Sequence, residues 1–428
     1  DRPRTAPITP HRVPQRQKAS NDVAEERDVL IYSKRFEGGV RLVSRMLSDM
    51  GRRPVLVSDE PEDVNRTHCA VHVVVDWETA SLEELVAAVG AAGVVPTAVV
   101  NFVDSLISWQ VRTARHYGLT GGEHGREVLL SKARVRAAMA DRGLSSLAFA
   151  AGTAASLDTD AVTSYPVIVK PDQDSGGSRL VRRAKDAAEL VCCLKELAAA
   201  AGPETDVIVE EYIDGIEFSV DGPVLDGRFH PLFEVEKTEH DDRRHHDAGL
   251  LISPPVSAQV RSAVGELSER VGALCASLGL GDSWLHVEGR TREDGTCELV
   301  EINPRPGGRM YRSATQRACG VDSIDMSVRM ALGERLDDVP AEAATGGTEL
   351  LAMLPFEADR VGTLASATSV EELKRIPGVV DGYLFENFRV MTMDRENFFA
   401  EAMIVADSVA ELYKTAEQVR SVFTFTFE

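Results

Sequence analysis

Apolar positions along the first hundred residues come in short blocks whose period alternates between that of a strand and that of a helix. Residues 28–34 (DVLIYSK) form a run of strand length, and Val40, Val43, Met46 and Leu47 share one face of a helical pattern over 39–50. Further strand-like runs occupy 54–58, 70–76 and 94–101. Between the last two lies a helical stretch, 81–92, which opens on Ser81 as N-cap with Glu83 and Glu84 in its first turn. Strands and helices at this spacing predict a small parallel α/β unit ending near residue 120. No GxGxxG follows the first strand, and Glu37-Gly38-Gly39 offers only a tight strand-to-helix turn.

The pattern changes after that. A basic helix is predicted over 129–143, closed by Gly143, then a polar linker of small residues over 150–164. The buried-type strand YPVIVK (165–170) runs into the loop PDQDSGGSRL, followed by a helix over 185–201 and strands at 206–212 and from 217 onward. A long amphipathic helix is predicted over 257–278. Strands at 284–290 and 296–302 bracket a Glu293-Asp294-Gly295 hairpin turn. Beyond residue 349 the pattern is mixed α/β, with helices at 369–374 and 407–420.

Composition narrows the function more than the fold. A chain of 428 residues suggests several lobes. A formal net charge of -21 argues against a general nucleic-acid binder. No apolar run approaches the roughly 20 residues of a membrane span. The six cysteines lack CxxC or zinc spacing and are expected as reduced thiols of a cytoplasmic protein. The start, rich in arginine and proline, is expected to be a disordered tail over 1–27.

Three segments carry candidate chemistry. In the first, Lys170 ends a strand and leads to Gly176, Gly177 and Ser178, an arrangement suited to triphosphate binding through backbone N–H groups and one cation. In the second, Glu210-Glu211-Tyr212-Ile213-Asp214-Gly215-Ile216-Glu217, a turning strand can set backbone amides against a base edge and a carboxylate on a ribose. The third is the sharpest: His286-Val287-Glu288 on one strand, then EINPRPGG from Glu301 to Gly308 on the next. Alternation puts Glu301 and Asn303 on one face, and hairpin pairing brings Glu288 to it. Two carboxylates and an amide oxygen are hard ligands suited to Mg²⁺. Arg305 is placed to stabilise charge on a transferring phosphoryl group.

In this order along one chain, these segments resemble the ATP-grasp superfamily, with the carboxylate–amine ligase branch that includes the L-amino-acid ligases most similar. EINPRPGG is similar to the metal-site signature, YPVIVKP with its glycine loop to the nucleotide lid, and EEYIDGIEFSVDG to the hinge. The resemblance implies an α/β ATP-grasp fold: a tail (1–27), a parallel pre-grasp domain (28–120), an ATP-grasp domain (121–345) with a lid at about 165–212, and a C-terminal α/β subdomain (346–428). It also implies ATP and Mg²⁺ as cofactors, the metal as a pair of ions with Mn²⁺ as a substitute. Lys132 and Lys170 would contact phosphates under a cover of Gly176, Gly177 and Ser178. Glu210, Tyr212 and Ile213 would line adenine, and Glu217 would hold ribose. Glu288, Glu301 and Asn303 would hold the metal, and Arg305 and Gly308 would flank an acyl phosphate. The implied partners are a small carboxylate and an amine, with a homodimer common in the family.

Four residues extend the substrate side. Glu236, in FEVEK, is a candidate for a substrate amino group. His245 and His246 lie in an Asp/Arg/His-rich loop, read as solvated or substrate-gating in preference to a zinc cluster. Arg309 suggests a substrate carrying an additional carboxylate or phosphate. Two other readings share the nucleotide site: a biotin-carboxylase-like or purine-pathway enzyme using bicarbonate, and a non-catalytic ATP-binding protein. A protein kinase is excluded, since its HRD and DFG motifs are absent.

Overall fold

The computed structural model describes residues 27–34, 39–173, 176–239, 249–336 and 349–428. Its first layer is a parallel sheet in the order Val71–Val74, Arg53–Ser58, Asp28–Tyr32, Pro96–Val100. Strands covered on both faces read as continuous apolar runs. Here Leu30 and Tyr32 point to one side, against Trp77, Leu85 and Trp109. Val29 and Ile31 point to the other, against Val40, Val43, Leu47 and Val328. Val328 belongs to the helix Ser323–Ala331, which fastens this sheet to the segment after EINPRPGG. The helix Leu82–Ala91 starts in a capping box in which Ser81 Oγ accepts the Glu84 N–H (3.2 Å) and Glu84 accepts the Ser81 N–H (2.7 Å).

A second, antiparallel sheet has the order Phe149–Thr153, Asp206–Glu211, Val167–Pro171, Arg182–Ala184, with the helix Ala187–Ala201 on one side. The expected linker at 150–164 is corrected here: Phe149–Thr153 pairs fully with Asp206–Glu211. Its small, half-buried residues suit an edge strand and lack the apolar run that marks a central one. The basic helix is also shorter than expected. It spans Lys132–Asp141 because Ser131 caps it, accepting the Arg134 N–H at 3.1 Å.

The largest sheet is nine-stranded. Its path runs Cys297–Asn303, Ser283–Thr291, Glu217–Leu225, Phe233–Lys237, Leu251–Ser253, Leu350–Glu357, Phe398–Ala406, Val379–Leu384, with Arg228–Phe229 attached to Glu217–Leu225. The helix Ala258–Leu278 covers one face, its Val260, Val264, Leu267 and Val271 packing on Phe218, Val220, Leu285 and Val287. Strand alternation then sends Glu217, Ser219, Asp221, His286, Glu288 and Arg290 to the opposite face. Alternation puts position 289 on the helix side, where only glycine fits, since a Cβ there would lie 2.6 Å from both Leu267 and Phe218. Beyond this sheet a three-stranded one, Arg389–Val390, Gly362–Ala367 and Phe425–Phe427, closes a core around Phe399, Phe423 and Leu412. Among the described residues no helix is long and apolar enough to cross a membrane.

Candidate active site

The polar face of the large sheet forms the floor of a cleft of about 1220 Å³. Asp104 from the turn after Pro96–Val100, Lys132 and Lys170, the turn at Tyr212 and Ile213, Tyr383 of a C-terminal strand and Arg395 of the irregular segment before Phe398–Ala406 complete its lining. The floor is ordered in rows by strand register. Glu288 stands directly opposite Glu301, and His286 opposite Asn303. On the other flank Glu288 faces Ser219, His286 faces Asp221, and Arg290 faces Glu217. Directly opposed side chains start about 5 Å apart, so Glu288, Glu301 and Asn303 converge as alternation predicts.

Each carboxylate of this floor sits against a cation. Lys132 Nζ lies 3.0 Å from Glu301 Oε1. Lys237 Nζ donates to Glu288 at 2.8 Å and to Glu217 at 2.6 Å, and Arg290 Nε donates to Glu217 at 2.9 Å. Burial tends to raise the Glu288 carboxyl, but Lys237 and His286 outweigh it and hold it well below the usual range. Glu210 is bracketed more tightly, accepting from Lys170 Nζ (2.6 Å) and Arg136 Nε (2.8 Å) with all three buried. There too burial opposes ionisation, and Arg136 and Lys170 bring the carboxyl down to about 2. Lys170 therefore projects from a fixed base.

Asp221 ties the floor to the glycine turn. It accepts from Trp284 Nε1 (2.9 Å), from His286 Nδ1 (2.5 Å) and from the Gly307 N–H (2.8 Å). Burial disfavours the charged imidazole, yet Asp221 and Glu288 together lift His286 to about 9. Gly307 is required sterically, since a Cβ there would lie 2.6 Å from the Tyr311 ring. Gly308 has open space around it, and its carbonyl accepts the Tyr311 N–H at 3.1 Å. Arg305 leaves the strand and clasps Asp104 with Nε and Nη2, both at 2.5 Å, which pushes its guanidinium pKa up against the cost of burial. Arg309 adopts φ +54°, lies 4.4 Å over Phe398 and stands 3.7 Å from Glu401.

Most of the expected site residues thus meet in one cleft: Lys132, Lys170, Gly176, Gly177, Ser178, Glu210, Tyr212, Ile213, Glu217, Glu288, Glu301, Asn303, Arg305, Gly308 and Arg309. Glu236 is a correction. It pairs with Phe218 on the helix side of the sheet and accepts the Ser257 N–H (2.8 Å) at the start of Ala258–Leu278. Lys237, in phase with Phe233 and Val235, points to the cleft instead. That phase was readable in FEVEK, because the apolar residues and the lysine alternate with both glutamates. Asp221, Arg136 and Asp104 carried no local signal; their side-chain partners lie 63 or more positions away in sequence. His245 and His246, with their loop, lie outside the described residues, as does the tail over 1–26.

A model of the ATP-grasp domain matches residues 163–313, the stretch from the small antiparallel sheet through the glycine turn. Residues 163–313 are thus an ATP-grasp domain. The chain is similar to the uncharacterized protein y4rH of Sinorhizobium fredii, with 24% identity over 380 residues, 87% of this chain and 76% of that one. It is also similar to biotin carboxylase 1 of Populus trichocarpa, 29% identical over 180 residues. That match covers 40% of this chain and 32% of the carboxylase. In three dimensions it resembles the crystal structure of an L-amino acid ligase from Bacillus licheniformis, with TM-score 0.76 and 18% identity over 94% of this chain and 99% of that one. At such identity the likeness is one of fold: a parallel N-terminal sheet followed by antiparallel ones.

Proposed function

We propose that this ATP-grasp protein is an ATP-dependent carboxylate–amine ligase that makes an amide bond through an acyl phosphate. The carrying observation is the register of the hairpin, which sets Glu288 opposite Glu301 and leaves Asn303 one step along the same face. Among the described residues no group of three or more His, Cys, Asp or Glu is placed to hold a metal ion by itself. Two carboxylates and an amide nevertheless fit Mg²⁺, which keeps waters and phosphate oxygens for its remaining positions. When bound, the cation supplies charge neutralisation on the phosphates.

The chain's own residues do the rest. Tyr212 and Ile213 border the adenine, Glu217 is held in place for the ribose by Lys237 and Arg290, and Lys132 and Lys170 meet the phosphates. The loop Gly176–Ser178 covers them and excludes water. A substrate carboxylate oxygen bonds to the γ-phosphorus as the bond to ADP breaks. The amine nitrogen then bonds to the acyl carbon, phosphate leaves with the C–O electron pair, and the nitrogen gives up its proton. Arg305, aimed by Asp104, stabilises the charge on the acyl phosphate. Arg309 sits beyond Gly308 and would hold a further carboxylate of a substrate.

The test is phosphate release from ATP and Mg²⁺, screened against single amino acids, amino-acid pairs and bicarbonate, for the wild type and Arg309→Ala. Release that depends on a carboxylate and an amine together is expected, with KM for one of them raised about tenfold in the variant. Release driven by bicarbonate with no amine requirement would instead favour the carboxylase-type chemistry of the Populus relative. A protein that binds no ATP would sink both.

A further inference from the structure

The glycine loop does not stand free over the cleft. Gly177, at φ +66°, accepts through its carbonyl the Glu396 N–H at 2.8 Å. Three residues on, the Leu180 N–H faces the Asp394 carbonyl at 3.5 Å. A Cβ on Gly177 would start 3.5 Å from Glu396 and 3.7 Å from Arg395 Nε. The segment that receives the loop is irregular but braced. Asn397, buried, donates through Nδ2 to the carbonyls of Thr392 (3.0 Å) and Arg395 (2.8 Å), and Thr392 Oγ1 donates to Asp394 at 2.7 Å. Arg395 therefore has an anchored backbone and an exposed side chain that lines the cleft.

Charge sets this arginine apart. Lys132, Lys170, Lys237, Arg290 and Arg305 all sit against carboxylates. Among the described residues Arg395 has no ion pair, so its charge is open to an incoming anion. Position says which anion. Three residues after Arg395, Phe398 lies under Arg309, which follows the glycine turn and lines the same cleft. A cation held against the glycine loop stands beside the element that the proposed function lays over the phosphates, on the side where Arg309 and the glycine turn would meet the transferring group.

We propose that Arg395 contacts the terminal phosphate of a bound nucleoside triphosphate, so that the C-terminal subdomain and the glycine loop together close the phosphate chamber. This rests on the nucleotide placement of the proposed function. It differs from a general clamp, because it discriminates triphosphate from diphosphate and so relaxes once the terminal phosphate has been transferred.

The experiment is calorimetric titration of the full chain, with Mg²⁺, by the non-hydrolysable triphosphate AMP-PNP and separately by ADP. Wild type, Arg395→Ala and Arg395→Lys are compared. Arg395→Ala should weaken AMP-PNP about tenfold, the scale of one charge-assisted hydrogen bond, and ADP by less than about twofold. Arg395→Lys should recover part of the loss. Retained ADP binding also certifies that the variant is folded. Equal weakening of both nucleotides, or no change in either, overturns the assignment of Arg395 while leaving the nucleotide site standing. A wild type that binds neither nucleotide overturns the site itself, and this inference with it.

Discussion

Glu301→Gln is expected to lower ATP-dependent phosphate release roughly a hundredfold or more, with little change in melting temperature. The substitution keeps the shape and one oxygen but removes the charge that the hairpin register sets opposite Glu288. Lys132, 3.0 Å from Glu301, lies beside the cleft, where water can solvate it once its partner is neutral. Stability is therefore largely spared while chemistry is not. The comparison that decides it pairs initial rates of phosphate release at saturating ATP with a melt followed by circular dichroism. Undiminished rates in the variant would remove Glu301 from the metal and phosphate machinery.

Glu210→Ala gives the opposite signature. It strands Lys170 and Arg136, both buried, without their shared anion, and breaking a buried pair in this way costs about 3–5 kcal/mol. The midpoint of urea unfolding should fall accordingly. Linkage supplies an independent check. The Glu210 carboxyl titrates at about 2 in the folded chain against roughly 4.3 when unfolded, so the unfolded state binds its proton first as pH falls. Its contribution, on the order of 3 kcal/mol, is fully present above the unfolded value and drains away between there and about pH 2. An acid-unfolding curve of Glu210→Ala that still steepens through that window like the wild type would show that another group is responsible.

The contrast between these two glutamates also shows what could be read in the sequence. The place of Glu301 was legible because it follows from parity along one strand and from a hairpin turn at Glu293-Asp294-Gly295. Parity is local, and so Asn303, Glu288 and the cleft-facing side of the strand were in reach. Glu210 lines the cleft with Tyr212 and Ile213, but the ion pairs of its carboxylate with Arg136 and Lys170, 74 and 40 positions away along the chain, were not readable. No periodicity reports a partner at such separations. The parallel sheet was readable for the same reason as Glu301, since Val29–Tyr32 form one buried run. Phe149–Thr153 was missed because an edge strand of small residues has no such run. Glu236 was misplaced by one residue of phase, which on a strand exchanges the two faces of the sheet.

The pairing of Leu251–Ser253 with Leu350–Glu357 bears on how such a chain diversifies. Because that ladder makes the C-terminal strands a continuation of the same sheet that carries Glu288 and Glu301, the segment from Leu350 onward is no detachable cassette. A chimera that trades it for a relative's must rebuild a buried antiparallel seam, in register at Ile252 and Ala352, both fully enclosed. Most such grafts would arrive with mismatched side chains along it and fail before any new substrate is met. New specificities in this lineage are therefore expected to arise by point substitution around the rim, with the sheet inherited whole.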